Sequence, residues 1–154
     1  MVCAVPALAD LAHGFTDLAG AGFDFSEQKS YPPPAPNYPV DISFAIVVDP
    51  PLGPMLATWW GSHILAVPDT LVEDITTAPE DVGFYHLDAV PVYNRAYVFK
   101  TGDGFYVKFA FRSEFSGDAI IEYFVQMDGT NNLRDDMVPV RPSTWGAVKA
   151  LYGQ

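Results

Sequence analysis

The chain has 154 residues, within the length of one domain. An apolar fraction of 49% and a charged fraction of 18% supply a packed core and exclude intrinsic disorder. Eight Lys and Arg against nineteen Asp and Glu leave a net charge of −11, which excludes a nucleic-acid partner and docking on anionic lipid. One cysteine, Cys3, excludes an intrachain disulfide and a multi-cysteine zinc site. No stretch is long and apolar enough to span a membrane as a helix.

Fourteen prolines and twelve glycines punctuate the chain. Proline removes a backbone donor and fixes φ, so long helices are not expected. Residues 1–21, rich in Ala, Gly and Leu, read as a lead-in that is a short helix or irregular. Ala7-Leu8-Ala9 has the small side chains of a signal-cleavage site, but residues 1–6 lack the basic and apolar regions of a signal. Phe23-Asp24-Phe25 alternates as a short strand does. Residues 31–39, YPPPAPNYP, hold five prolines and form an extended connector. Residues 40–48, VDISFAIVV, carry the strongest buried-strand signal, and the proline-rich 49–54 breaks it. Short strands are expected over 55–60 and 62–67, on either side of Gly61. Residues 69–81 are acidic and end in a proline turn, and 84–87 read as another strand.

Three strands with clear turn chemistry follow. Residues 96–101 (AYVFKT) and 105–111 (FYVKFAF) form a hairpin across Gly102-Asp103-Gly104. Alternation along 105–111 is only approximate, which predicts a bulge near Ala110. Residues 119–127 (AIIEYFVQM) form a strand that Asp128-Gly129 closes. In the tail, Ser143 suits an N-cap, and Trp145, Val148, Leu151 and Tyr152 share one helical face. The expected fold is all-β, mainly antiparallel sheets built from hairpins, with a short C-terminal helix. The expected organisation is a lead-in over 1–21, a β domain over 22–140 that includes the 31–39 connector, and the helix within 141–154.

Several blocks occur in a particular order. Residues 97–109 (YVFKTGDGFYVKF) give an apolar strand, then Thr-x-Asp-Gly-x-Tyr-x-Lys, then a second apolar strand. Residues 120–130 (IIEYFVQMDGT) run aromatic pairs into Gln-x-Asp-Gly-Thr. Upstream stand FDFS at 23–26, VDISFA at 40–45 and TAP at 77–79. In this order, over residues 16–133, the chain resembles the HmuY-like family of exported, β-rich, haem-binding proteins. It departs from the family at Val40, where the block has Trp, and at Ile46, where Arg often follows. The resemblance implies a secreted, periplasmic or cell-surface protein that is not an enzyme. It implies haem, or another apolar small molecule, as the ligand.

Haem iron takes His, Met, Tyr or Cys as axial ligands in an apolar pocket. His63 and His86 are the candidates in the middle of the chain, with Met55 and Met127 as secondary donors. Trp59 and Trp60, close to His63, are candidate walls for a porphyrin. The family motif does not fix the ligand positions, and an ordinary surface histidine is the simpler reading of each. Adjacent strand residues face opposite sides, so one of Trp59 and Trp60 is core while the other is exposed, or both lie under cover. Glu73-Asp74, Glu80-Asp81 and Asp135-Asp136 offer hard oxygen donors but match no calcium-loop spacing, so a metal role is left open. No nucleophile elbow, zinc-protease helix or phosphate loop is present, and Ser62 and His63 point apart on a strand. A second function stands beside the carrier: a cofactor-free structural protein of a surface or filament. It would assemble with its own copies through Trp59-Trp60, the proline segment and the edge strands.

Overall fold

The computed structural model describes residues 11–32, 39–48, 51–80, 86, 88–115 and 118–134. Ten strands occur among them: β1 (Ala12–Asp17), β2 (Gly22–Asp24), β3 (Lys29–Tyr31), β4 (Ile42–Val48), β5 (Pro51–Thr58), β6 (His63–Val67), β7 (Asp88–Ala89), β8 (Ala96–Lys100), β9 (Tyr106–Phe111) and β10 (Ile120–Gln126). They form two antiparallel five-stranded sheets, A in the order β1-β10-β9-β8-β6 and B in the order β3-β2-β4-β5-β7. The fold is therefore all-β, as expected. The expected C-terminal helix and most of the proline connector lie outside the described residues.

The sheets pack face to face over an aromatic core. Phe23 and Phe25 at β2, Ile42 on β4 and Leu56 on β5 meet Tyr97, Phe99, Phe109, Phe111, Ile121, Tyr123 and Val125 from sheet A. Phe25 sits at the centre, with ring centroids 5.2 Å from Phe99, 6.1 Å from Phe109 and 5.7 Å from Tyr123. Burying each such ring contributes about 1.5–3 kcal/mol, so this cluster is the main source of stability.

Sheet A is buried on its outer face too. Val72, Ile75 and Ala78, spaced three apart on the acidic 69–81 stretch, lie over Ala96, Val98, Tyr106, Ala110 and Phe124. Leu133 joins them, and Leu133 N–H donates to Thr76 O while Ala78 N–H donates to Asn131 O. This strap explains why all six residues of β9 are buried. Val107, Phe109 and Phe111 face sheet B; Tyr106, Lys108 and Ala110 face the strap. The bulge expected near Ala110 is absent, because the ladders to β8 and β10 hold one register through the strand. Alternation looked imperfect because Lys108 lies on a covered face. Its Nζ donates to Ile75 O at 2.9 Å and stands 5.2 Å from the Phe124 ring centre.

Two other segments differ from expectation. Part of the lead-in is a strand, β1, which pairs with β10 along its whole length. Its Gly14 makes room for the core: a Cβ there would lie 2.4 Å from Tyr123 Oη. The strand expected over 40–48 does end at Val48, but residues 51–54 already belong to β5, ahead of the expected start at 55. Pro51 and Pro54 lie on the part of β5 that has β4 alone as a partner, since β7 pairs only with Leu56 and Ala57, and a strand with one open side is where proline is tolerated. On that side His86 bonds Ile64 in both directions, at 2.8 and 2.7 Å, and β7 then joins β5. His86 and β7 thus tie the edge of sheet A to the edge of sheet B.

Candidate functional site at the Trp60 turn

The chain passes from sheet B to sheet A through Trp59, Trp60, Gly61 and Ser62. Ser62 N–H donates to Trp59 O at 2.9 Å. Both central residues have positive φ, 55° at Trp60 and 79° at Gly61, the pattern of a type I′ turn. Glycine takes that conformation freely, whereas an L side chain pays roughly 1–2 kcal/mol for it. A tryptophan held there against its preference has to be fixed by its surroundings.

The fixing group is Asp41. One carboxylate oxygen accepts Phe25 N–H at 2.9 Å and the other accepts the Ser62 hydroxyl at 2.8 Å. The Ser62 Oγ accepts Gly102 N–H at 3.0 Å, and Trp59 N–H donates to Asp41 O at 2.9 Å. Four segments distant in sequence are thereby locked at one end of the sandwich. The hairpin tip is pressed against the turn: a Cβ on Gly102 would lie 2.0 Å from Trp60 O. Burial pushes the Asp41 carboxyl up to about 6, against the lowering effect of its two hydrogen bonds, with Asp24 and Asp103 adding repulsion.

The two tryptophans divide as adjacent strand residues do. Trp59 is half-buried and its Nε1–H donates to Ser43 Oγ at 2.8 Å. Trp60 is 65% exposed, the highest value among the exposed large apolar side chains of the described residues. The turn presents an indole face on a preorganised support.

The other candidates do not gather round it. His63 and Ile64 are neighbours on β6, and Ile64 faces the core, so His63 faces outward from sheet A. His86 stands directly opposite Ile64 and takes the same side as that residue, at the exposed margin of the sheet. The two imidazoles therefore lie on opposite faces and do not converge on one iron. Met55 neighbours the core-facing Leu56 and sits on the outer face of sheet B, with the whole core between it and His63. Met127 is exposed in the turn after β10. Of the carboxylates, Glu73 pairs with Arg112 at 2.8 Å. No group of three or more His, Cys, Asp or Glu side chains comes together among the described residues. The Ser62 hydroxyl is spent on Asp41 and Gly102, so its polar bonds are those of a brace.

Sequence reasoning missed Asp41, Ser62 and Gly102 as a unit. The available signal was weak: Gly61 beside a tryptophan and a Gly-Asp-Gly tip, with nothing local to join them. No family model and no curated protein sequence matches this chain.

Proposed function

We propose that this chain is a non-enzymatic binding module, exported to the periplasm, the cell surface or the medium, that meets a ring-faced apolar ligand through Trp60. The carrying observation is an exposed tryptophan kept at φ 55° by the buried Asp41 and Ser62 side chains and their bond to Gly102 N–H. Strained, rigidly supported and exposed aromatic residues are the usual anchors of recognition surfaces. Export and haem come from the resemblance to the HmuY-like family alone. With His63 and His86 on opposite faces, haem would stack on Trp60 and take at most one histidine, His63 being three residues along the chain.

Titration with haemin tests this, read by tryptophan fluorescence and by the Soret band. Saturable quenching in the wild type that Trp60→Asn removes is the expected result. A Soret shift sensitive to His63→Ala but not to His86→Ala would identify the axial ligand. A flat titration overturns haem as the ligand.

The cofactor-free assembly reading is favoured by a different observation: β1 and β3 end their sheets with no further strand paired to them among the described residues. Sedimentation at rising protein and salt concentration tests it, salt being needed to screen the −11 charge. A monomer under all conditions removes that reading.

A further inference from the structure

A second candidate site lies at the other end of the β6–β8 pair from Trp60, some five residues or roughly 16 Å of strand away. It is an open groove of about 280 Å³ between residues 69–71 and 92–95. Its walls are held from three sides. Arg95 N–H donates to Val92 O, closing a turn in which Asn94 has φ 58°. The buried Tyr97 hydroxyl accepts Val92 N–H and donates to Val90 O, both at 2.8 Å. The Arg112 guanidinium bonds Asn94 Oδ1 on one wall and Glu73, next to the other wall, at the same time. That bond fixes the Asn94 amide so that its Nδ2 is left as a donor.

The groove carries both apolar surface and charge that has no ion-pair partner among the described residues. Leu71 is 51% exposed and Tyr93 46%, so two of the six exposed large apolar side chains of the described residues line this groove. Arg95 and Asp69 line the same groove, yet neither forms an ion pair, with the other or with any described residue. Each charge is a ready partner for a ligand of the opposite sign. A simple organic anion would suit Arg95 but would meet Asp69 and the field of a chain with net charge −11. A simple amine would meet Arg95. A zwitterion with an apolar body satisfies both charges at no cost in net charge.

We propose that this groove binds a small apolar α-amino acid, with its carboxylate on Arg95, its ammonium on Asp69 and its side chain against Leu71 and Tyr93. The site shares no residue with the Trp60 turn, so it stands or falls independently of haem.

The test is a titration of the full chain with L-phenylalanine, followed by amide chemical shifts. Saturable shifts confined to residues 69–71 and 92–95 are expected. Phenylacetate, lacking the ammonium, and phenethylamine, lacking the carboxylate, should each bind at least about tenfold more weakly, which is ~1.4 kcal/mol. Arg95→Gln and Asp69→Asn should each weaken L-phenylalanine by a similar factor, and Asp69→Asn should improve phenylacetate. Asn accepts the positive φ that Asp69 already has, so this variant keeps the fold. Spectra unchanged away from the groove verify the fold of both variants. The proposal is overturned by an absence of saturable shifts, by shifts elsewhere, by phenylacetate binding as tightly as L-phenylalanine, or by indifference to both substitutions.

Discussion

Trp60 and Asp41 carry opposite kinds of strain. Trp60 keeps an unfavourable φ in the open, so replacing it by a residue suited to that φ should not weaken the fold. Trp60→Asn is expected to leave stability unchanged or to raise it by up to ~1 kcal/mol, read by urea unfolding. A clear loss of stability would mean that the indole is structural. Asp41 instead keeps a charge under cover. Its folded value of about 6 lies above the ordinary 3.8, so the folded state holds the proton that the unfolded state releases between them. The stability contributed by the neutral form is complete below about pH 4 and is lost as pH rises through 6. Asp41→Asn removes this titration, and its amide reproduces the protonated acid, with the oxygen accepting Phe25 N–H and the NH2 donating to Ser62 Oγ. The wild type should lose stability relative to this variant between pH 4 and pH 7.5, read by urea unfolding at both values. A stability difference that stays constant over that range would rule out a raised Asp41 value.

At the scale of elements, the Arg112 side chain does the most joining. From the end of β9 it reaches Glu122 on β10, Glu73 on the strap and Asn94 in the turn before β8. Burial pushes the Glu122 carboxyl up, and the hydrogen bonds and charges of His13 and Arg112 outweigh it, leaving Glu122 below its ordinary value. That stability is present above the ordinary value of 4.5 and is lost as pH falls through the folded one. Arg112→Gln should therefore cost ~2 kcal/mol near pH 7 and clearly less near pH 3, by chemical unfolding at the two values. An equal cost at both would show that Arg112 acts by packing alone. Much at this scale was legible. The strands β8, β9 and β10 and the Gly102-Asp103-Gly104 tip follow from apolar runs and turn residues within one residue of their ends. Strand β1 was not, because Ala, Gly and Leu signal no strand and its pairing is supplied by β10 more than a hundred residues away. The strap was legible only as acidic chain, since its three buried residues are few and its cover is provided by sheet A.

For the molecule as a whole, burial is asymmetric. Sheet A is covered on both faces at β8, β9 and β10, while β1 and β3 stand at the sheet margins. Amide exchange should be slowest in Tyr97–Phe99, Val107–Phe111 and Ile121–Val125 and fastest in Lys29–Tyr31. Exchange in β9 as fast as in β3 would contradict the strap. The candidate sites occupy opposite ends of the β6–β8 pair, where loops escape this packing and exposed apolar groups remain. Placing recognition on rigidly braced loops outside a dense core is the usual division of labour in a β-sandwich.

The sequence by itself determined the all-β class, the hairpin turns, the net charge and the sites where glycine bends the chain. These depend on residues next to one another, and local periodicity records them. The tertiary structure alone decided which face each side chain takes and which partners converge. His63 and His86 are twenty-three positions apart, and only the register of Ile64 against His86 sets them on opposite faces. Asp41, Ser62 and Gly102 become one network only when sheets A and B close on each other. Asp69 and Arg95 share a groove only because β6 and β8 are neighbours. Contacts of this kind are fixed by strand pairing across long separations, which no stretch of sequence contains.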